Sequence, residues 1–156
     1  MRPGEGGRRR FDDAGQMAGI EAIPFGFLIF VAGALLLANA WAVVDAKLAV
    51  SAAAREASRA YVEASNADDA ELAALAAARS SIAGHGHDPA ELGLDIEVQG
   101  DFGRCVRVVT EASIDIPSVH LPFIGGFGRT FAVRAEHSEV VDPYRSGLAG
   151  EVQCAG

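Results

Sequence analysis

Cys105 and Cys154 are the only two cysteines in the 156-residue chain. On the oxidising side of a membrane such a pair can close one disulfide, which here would staple the C-terminal tail onto the start of a strand. Two unrelated thiols are the alternative. Four histidines, His85, His87, His120 and His137, raise the question of a metal, and His85 and His87 flank a glycine beside Asp88 with a donor set that suits zinc. A Gly-rich loop containing His is ordinarily solvated, however, and neither His120 nor His137 is near in sequence, so no metal and no cofactor is expected. Glu97, Glu111 and Glu136 fall at the polar positions of alternating runs, where solvation accounts for them. The sequence has no Ser/His/Asp order, no nucleophile elbow and no glycine-rich phosphate loop, so catalysis is not expected. One carboxylate stands apart. Glu21 opens a long apolar run, where an ionised group is costly unless it is paired or kept among headgroups.

That run, residues 20–44, positions everything else. It carries one charge (Glu21) and one amide (Asn39), and its other residues are apolar or small. As a helix it spans roughly 37 Å, enough to cross a hydrocarbon core of about 30 Å. A soluble core helix rarely stays apolar on every face for so long. The run exceeds the 7–15 apolar residues of a cleavable signal and flows unbroken into helical sequence, so a retained single-pass anchor in the plasma membrane is expected. Pro24 takes either the first helical turn or a kink.

Charge orients the anchor. The formal net charge is −8, yet residues 1–19 hold four Arg (Arg2, Arg8, Arg9, Arg10) against three acids, while residues 45–156 hold nine basic residues against seventeen acids. Basic residues before the run favour a cytoplasmic N-terminus and an acidic head outside. Lys47, Arg55 and Arg59 beyond the far end oppose this bias. An acidic exterior without a basic patch excludes nucleic acid as a partner. The lipid bilayer is the partner that the apolar run demands.

Residues 1–19 read as a disordered basic leader. Beyond Val44 neither Gly nor Pro interrupts the helix, which is expected over residues 18–65 as a rod on the order of 70 Å long. Val50, Ala53, Ala57, Tyr61 and Ala64 recur at helical spacing as a narrow stripe that lets another backbone approach closely. It must lie against the sheet's apolar face (Val106, Val108, Ile114, Phe131, Val133) or against a neighbouring helix. Asp68 and Glu71 suggest a capping box opening a second helix over residues 69–83. The period then changes to two over residues 94–99, 105–116 and 129–141, as in half-buried strands of an antiparallel sheet of three or more strands. An apolar Pro/Gly loop, residues 117–128, separates the second strand from the third. The head is thus an α+β domain over residues 45–145, and residues 146–156 form a flexible tail.

In this order the residues resemble the TadE-like pseudopilins of tight-adherence (Tad) pilus systems, especially those of actinobacteria. The resemblance rests on Gly15-Gln16, Glu21 and Pro24 at the head of the run, and on Ala49-Val50-Ser51-Ala52-Ala53-Ala54-Arg55-Glu56-Ala57 on the extended helix. Leu121-Pro122, Arg134-Ala135-Glu136-His137 and Val140-Val141-Asp142-Pro143-Tyr144-Arg145 complete it, covering residues 14–145. The resemblance implies a pilin-like fold and a minor structural component of Tad (type IV-like, Flp) pilus assembly. Implied partners are the pilin, a second pseudopilin, the platform proteins and a prepilin peptidase. Relatives are cut after a Gly, with an acidic residue fifth in the mature chain. Here a cut between Gly15 and Gln16 makes Glu21 sixth, and no Gly stands where Glu21 would be fifth. In pilin-like systems such a Glu meets a neighbour's N-terminal amine; a wet interfacial carboxylate is the other role open to it. A signal-anchored binding module unrelated to pili, using the loop at 117–128 as its contact surface, is the alternative function.

Overall fold

The computed structural model describes residues 14–121, 123–150 and 153–154, with side chains from Ala22 onward. Most of the expected leader therefore lies outside the described residues, as do the side chains of Gly15, Gln16 and Glu21. The chain is α+β: a long apolar helix, a second helix and a three-stranded antiparallel sheet.

Two compact units divide it, residues Met1–Leu37 and Ala38–Gly156. The described part of the first is helix alone. Helix α1 runs over Ala14–Glu63, starting four residues earlier than expected, and its stretch within the first unit exposes Ile23, Phe25, Phe27, Leu28, Ile29 and Phe30 among others. Pro24 lies inside the helix rather than in its first turn, so the carbonyl four residues back receives no N–H from it.

The second unit holds the rest of α1 and the remaining elements: α2 (Ala67–Gly84), a 3-10 turn (Pro89–Glu91), β1 (Gly93–Val98), β2 (Arg107–Leu121) and β3 (Gly125–Val140). Helix α2 opens two residues before the expected start. Its N-cap is Asn66, whose side chain accepts the Asp69 N–H at 2.9 Å, while the Asp69 carboxylate accepts from Asn66 Nδ2 at 2.6 Å. That pair does what the Asp68–Glu71 box was expected to do, because the chain breaks helix at 64–66 and offers its first orphan donors there.

Strands pair in the order β1-β2-β3, with Ile96 opposite Thr110 and Ala112 opposite Ala135. Val108, Thr110, Ala112, Ile114 and Ile116 of β2 and Val133 and Ala135 of β3 are buried, and the alternate residues face out. The inner face shares one core with Ala46, Ala49, Val50, Ala53, Ala54 and Ala57 of α1 and Ala70, Ala74, Ala78 and Ile82 of α2. An Ala-rich core lets helix backbones come close to a sheet without voids. Two residues expected on the inner face are not in the core: Val106 precedes β2, and Phe131 is 41% exposed.

The loop expected at 117–128 is instead mostly strand. β2 continues to Leu121 and β3 begins at Gly125, so the two form one long hairpin with a register shift between Pro117 and Val119. β1 pairs with β2 only as far as Ser113, leaving that edge of β2 unpaired beyond it, so Pro117 costs no ladder bond there. Gly126 is obligatory: a Cβ there would stand 2.3 Å from Pro117 Cγ.

Candidate functional site

The stripe along α1 begins with Ala46, where four-residue spacing carries it through Val50, Ala54 and, with Ala49, Ala53 and Ala57, to Tyr61. All of these except Tyr61 are wholly buried, Tyr61 is nearly so, and Ala64 is half-buried. Thr110, on the inner face of β2, reaches across and donates from Oγ1 to the Ala54 carbonyl at 2.7 Å. The same hydroxyl lies 3.3 Å from the His137 carbonyl of β3. At the upper end of the stripe Tyr61 meets the Phe102 ring edge-on, with centroids 5.8 Å apart. Burial raises the Tyr61 phenol above its ordinary value, and the Glu71 carboxylate adds to the effect.

The last turn of α1 carries no basic residue to balance its carbonyls. That role falls to Arg145, whose Nη1 and Nη2 donate to the carbonyls of Val62 and Glu63. Arg104 Nε holds the Arg145 carbonyl at 2.7 Å in turn, and the Arg104 N–H donates to Ala149 at 2.8 Å. Cys105 and Cys154 are joined as a disulfide across a separation of 49 residues. The tail thus has no regular element, but its described part is tied down at 145, 149 and 154. Nearer the apolar run, the chain's single lysine, Lys47, donates to the Arg134 carbonyl of β3.

Lower still on the second unit, Asn39 grips the end of β2. Its Oδ1 accepts the His120 N–H at 2.6 Å and its Nδ2 donates to the His120 carbonyl at 3.2 Å. Between this clasp and the α2 turn lies a cleft of about 380 Å³ lined by Asp45, His87, Glu91, Asp115, Pro117 and His120, among others. His87 Nε2 stands 3.2 Å from the Asp45 carboxylate, a contact that ties the turn after α2 to α1. His85 is exposed, and His137 lies 3.6 Å from Glu139. Among the described residues no three His, Cys, Asp or Glu side chains are grouped to hold a metal ion.

The hairpin tip carries the second feature that periodicity misses. Leu121 and Ile124 close a turn through a 3.2 Å backbone bond, with Phe123 inside it at a φ of +68°. This is the left-handed region, which glycine favours. The Phe123 side chain is fully exposed, and Ile124 (71%), Phe127 (48%) and Val119 (44%) are exposed beside it. An isolated amide in an apolar run was the sequence signal for Asn39; nothing in the sequence marks its partner, 81 residues away.

No family model, curated protein or solved structure matches this chain.

Proposed function

We propose that this protein is a TadE-like minor pseudopilin: a pilin-like, single-pass protein of the plasma membrane that serves Tad pilus assembly as a structural component rather than as an enzyme. The observation that carries the reading is α1 itself, apolar and exposed where the run demands lipid, then continuous in sequence with a stripe of small residues buried under a β-rich head. It is also the one helix among the described residues that is long and apolar enough to cross a membrane. The Arg cluster before the run supports a cytoplasmic N-terminus, and the disulfide supports an extracytoplasmic head. Gly15, Gln16 and Glu21 are the residues through which a prepilin peptidase and neighbouring pilin-like helices would act on it. Deletion of the gene in the source organism tests the reading. Loss of surface pili, restored by the intact chain and accompanied by its co-purification with the pilus platform proteins from native membranes, is the expected result. Normal piliation without the protein would leave the anchored binding module as the better account. Intact-mass measurement of the protein from those membranes reports whether the leader is removed.

A further inference from the structure

We propose that the tip of the β2–β3 hairpin is a second membrane contact, a wedge seated in the bilayer leaflet on the side of the head. The inference rests on the membrane-anchor reading of the apolar run and adds to it. Three contacts fix the hairpin along α1: Thr110 with Ala54, Lys47 with Arg134, and Asn39 with His120. Residue numbers rise along β2 as they fall along α1, so the strand descends towards the apolar run and its end is held inside that run. Asn39 precedes Val44, the end of the run, by five residues, about 7–8 Å along a helix axis. A hairpin tip at the level of Asn39 is therefore at the level of lipid.

The tip has the chemistry that such a level requires. From Ile116 to Gly128, thirteen consecutive residues include no Asp, Glu, Lys or Arg, and Asp115 and Arg129 bracket the stretch. Phe123 and Ile124 project clear of the head, and Phe127 and Val119 beside them are about half exposed. Trp41 on α1, 70% exposed, stands two residues above Asn39, the place of an aromatic at a membrane–water boundary. Backbone groups away from water must find partners, and Asn39 supplies both for His120. The one amide in the run thereby has a role: it satisfies a strand end that enters the membrane beside it. Holding a large aromatic at a φ where glycine is favoured costs of order 1–2 kcal/mol, and such outliers persist where a side chain is wanted for what it meets.

Depth-resolved quenching tests this in the full chain. The native cysteines are bonded to each other, so one introduced cysteine carries an environment-sensitive fluorophore. Phe123→Cys and Ile124→Cys report the tip, Phe30→Cys the apolar run and Ser146→Cys the head, each in nanodiscs of phosphatidylcholine and phosphatidylglycerol. The expected result is blue-shifted emission at both tip positions, lost to a lipid-borne quencher placed near the headgroups and kept in aqueous iodide, with the opposite response at Ser146. Iodide quenching at the tip equal to that at Ser146, with the Phe30 label quenched by lipid, overturns the proposal and leaves the anchor standing. Tip labels sheltered from both quenchers would mean a protein, such as a second copy of this chain, covers the tip, and that also overturns it. If the Phe30 label escapes a second lipid quencher placed at the acyl-chain ends, the depth its position in the run requires, the anchor reading fails and the proposal with it.

Discussion

The Asn39 carboxamide holds both backbone polar groups of His120, accepting its N–H at 2.6 Å and donating to its carbonyl at 3.2 Å. Each of these bonds is worth on the order of 1 kcal/mol net in water, and more where no water can replace it. Asn39→Ala also restores helix propensity, an offset of about half a kcal/mol. Hydrogen exchange read on peptides covering residues 116–127 should therefore quicken by roughly tenfold in this variant, with the core of the head unchanged. Unaltered exchange at the hairpin would mean that the clasp does not hold it.

The stripe on α1 makes a sharper demand. Ala57 is wholly buried and Glu56, its neighbour in sequence, is exposed. Ala57→Arg forces a long cation into a core of alanines, which overpacks it and buries an unpaired charge, so a loss of more than about 3 kcal/mol is expected. Glu56→Arg should stay within about 0.5 kcal/mol of the parent. Urea unfolding of the two variants in detergent gives the comparison, and similar midpoints for both would contradict the packing of α1 on the sheet.

What the sequence made legible was local, and what it hid was long-range. Element types follow from pattern: the unbroken apolar run reads as helix by its length, and the stripe at helical spacing and the alternation over 107–116 each reflect a face that is buried. The ends of elements depend on partners. Pro117 looks like a strand breaker until one sees that β1 has already stopped at Ser113 and its missing N–H is asked for by no strand. Asn66 takes the cap because the chain leaves helix there, a tertiary choice that the acidic cluster Asp68-Asp69 only partly signals. The Arg145 cap on α1 joins residues more than eighty apart, and a fork of five donors gives no sequence sign of which carbonyls it will meet. The disulfide was the exception, since two cysteines leave one pairing.

Tyr61 gives the fold a pH dependence with a definite sign. Burial first, then Glu71, raises its phenol above the ordinary value of 10.0. The unfolded chain consequently loses this proton at lower pH than the folded one does. The contribution is whole below the unfolded value and is lost as pH rises through the folded one. Urea midpoints of the parent should fall from about pH 9 to about pH 11, and Tyr61→Phe should flatten that part of the decline. Tyrosinate absorbance in a Tyr144→Phe background, which leaves Tyr61 as the only tyrosine, reads the same titration directly. A phenol there that ionises at its ordinary value would contradict its burial.

The Cys105–Cys154 bond closes a loop of 49 residues' separation, for which about 2–4 kcal/mol of stabilisation is typical. Its removal should act mainly on the tail. Cys105→Ser/Cys154→Ser should lower stability by that amount and free Arg145 to leave the end of α1, which limited proteolysis after residue 142 would detect as a new cut. A variant as resistant as the parent would show that Arg104 and Arg145 hold the tail without the bond.

Phe123→Gly separates what the hairpin needs for folding from what it needs for lipid. Glycine relieves the positive φ, a gain of about 1–2 kcal/mol, while loosening the unfolded chain costs about 0.4–1 kcal/mol. The exposed ring contributes no burial within the head to lose. Unfolding in detergent should therefore show a midpoint equal to the parent's or slightly higher. Seated in a bilayer, the same ring is worth about 1.5–3 kcal/mol, so its removal shifts the tip towards water by about one to two orders of magnitude in population. An Ile124→Cys fluorophore in the Phe123→Gly chain should then emit further to the red and become open to iodide, with the midpoint preserved. A lower midpoint would place Phe123 in the service of the fold. An unchanged midpoint with unchanged emission would mean that the ring does nothing for the tip in lipid.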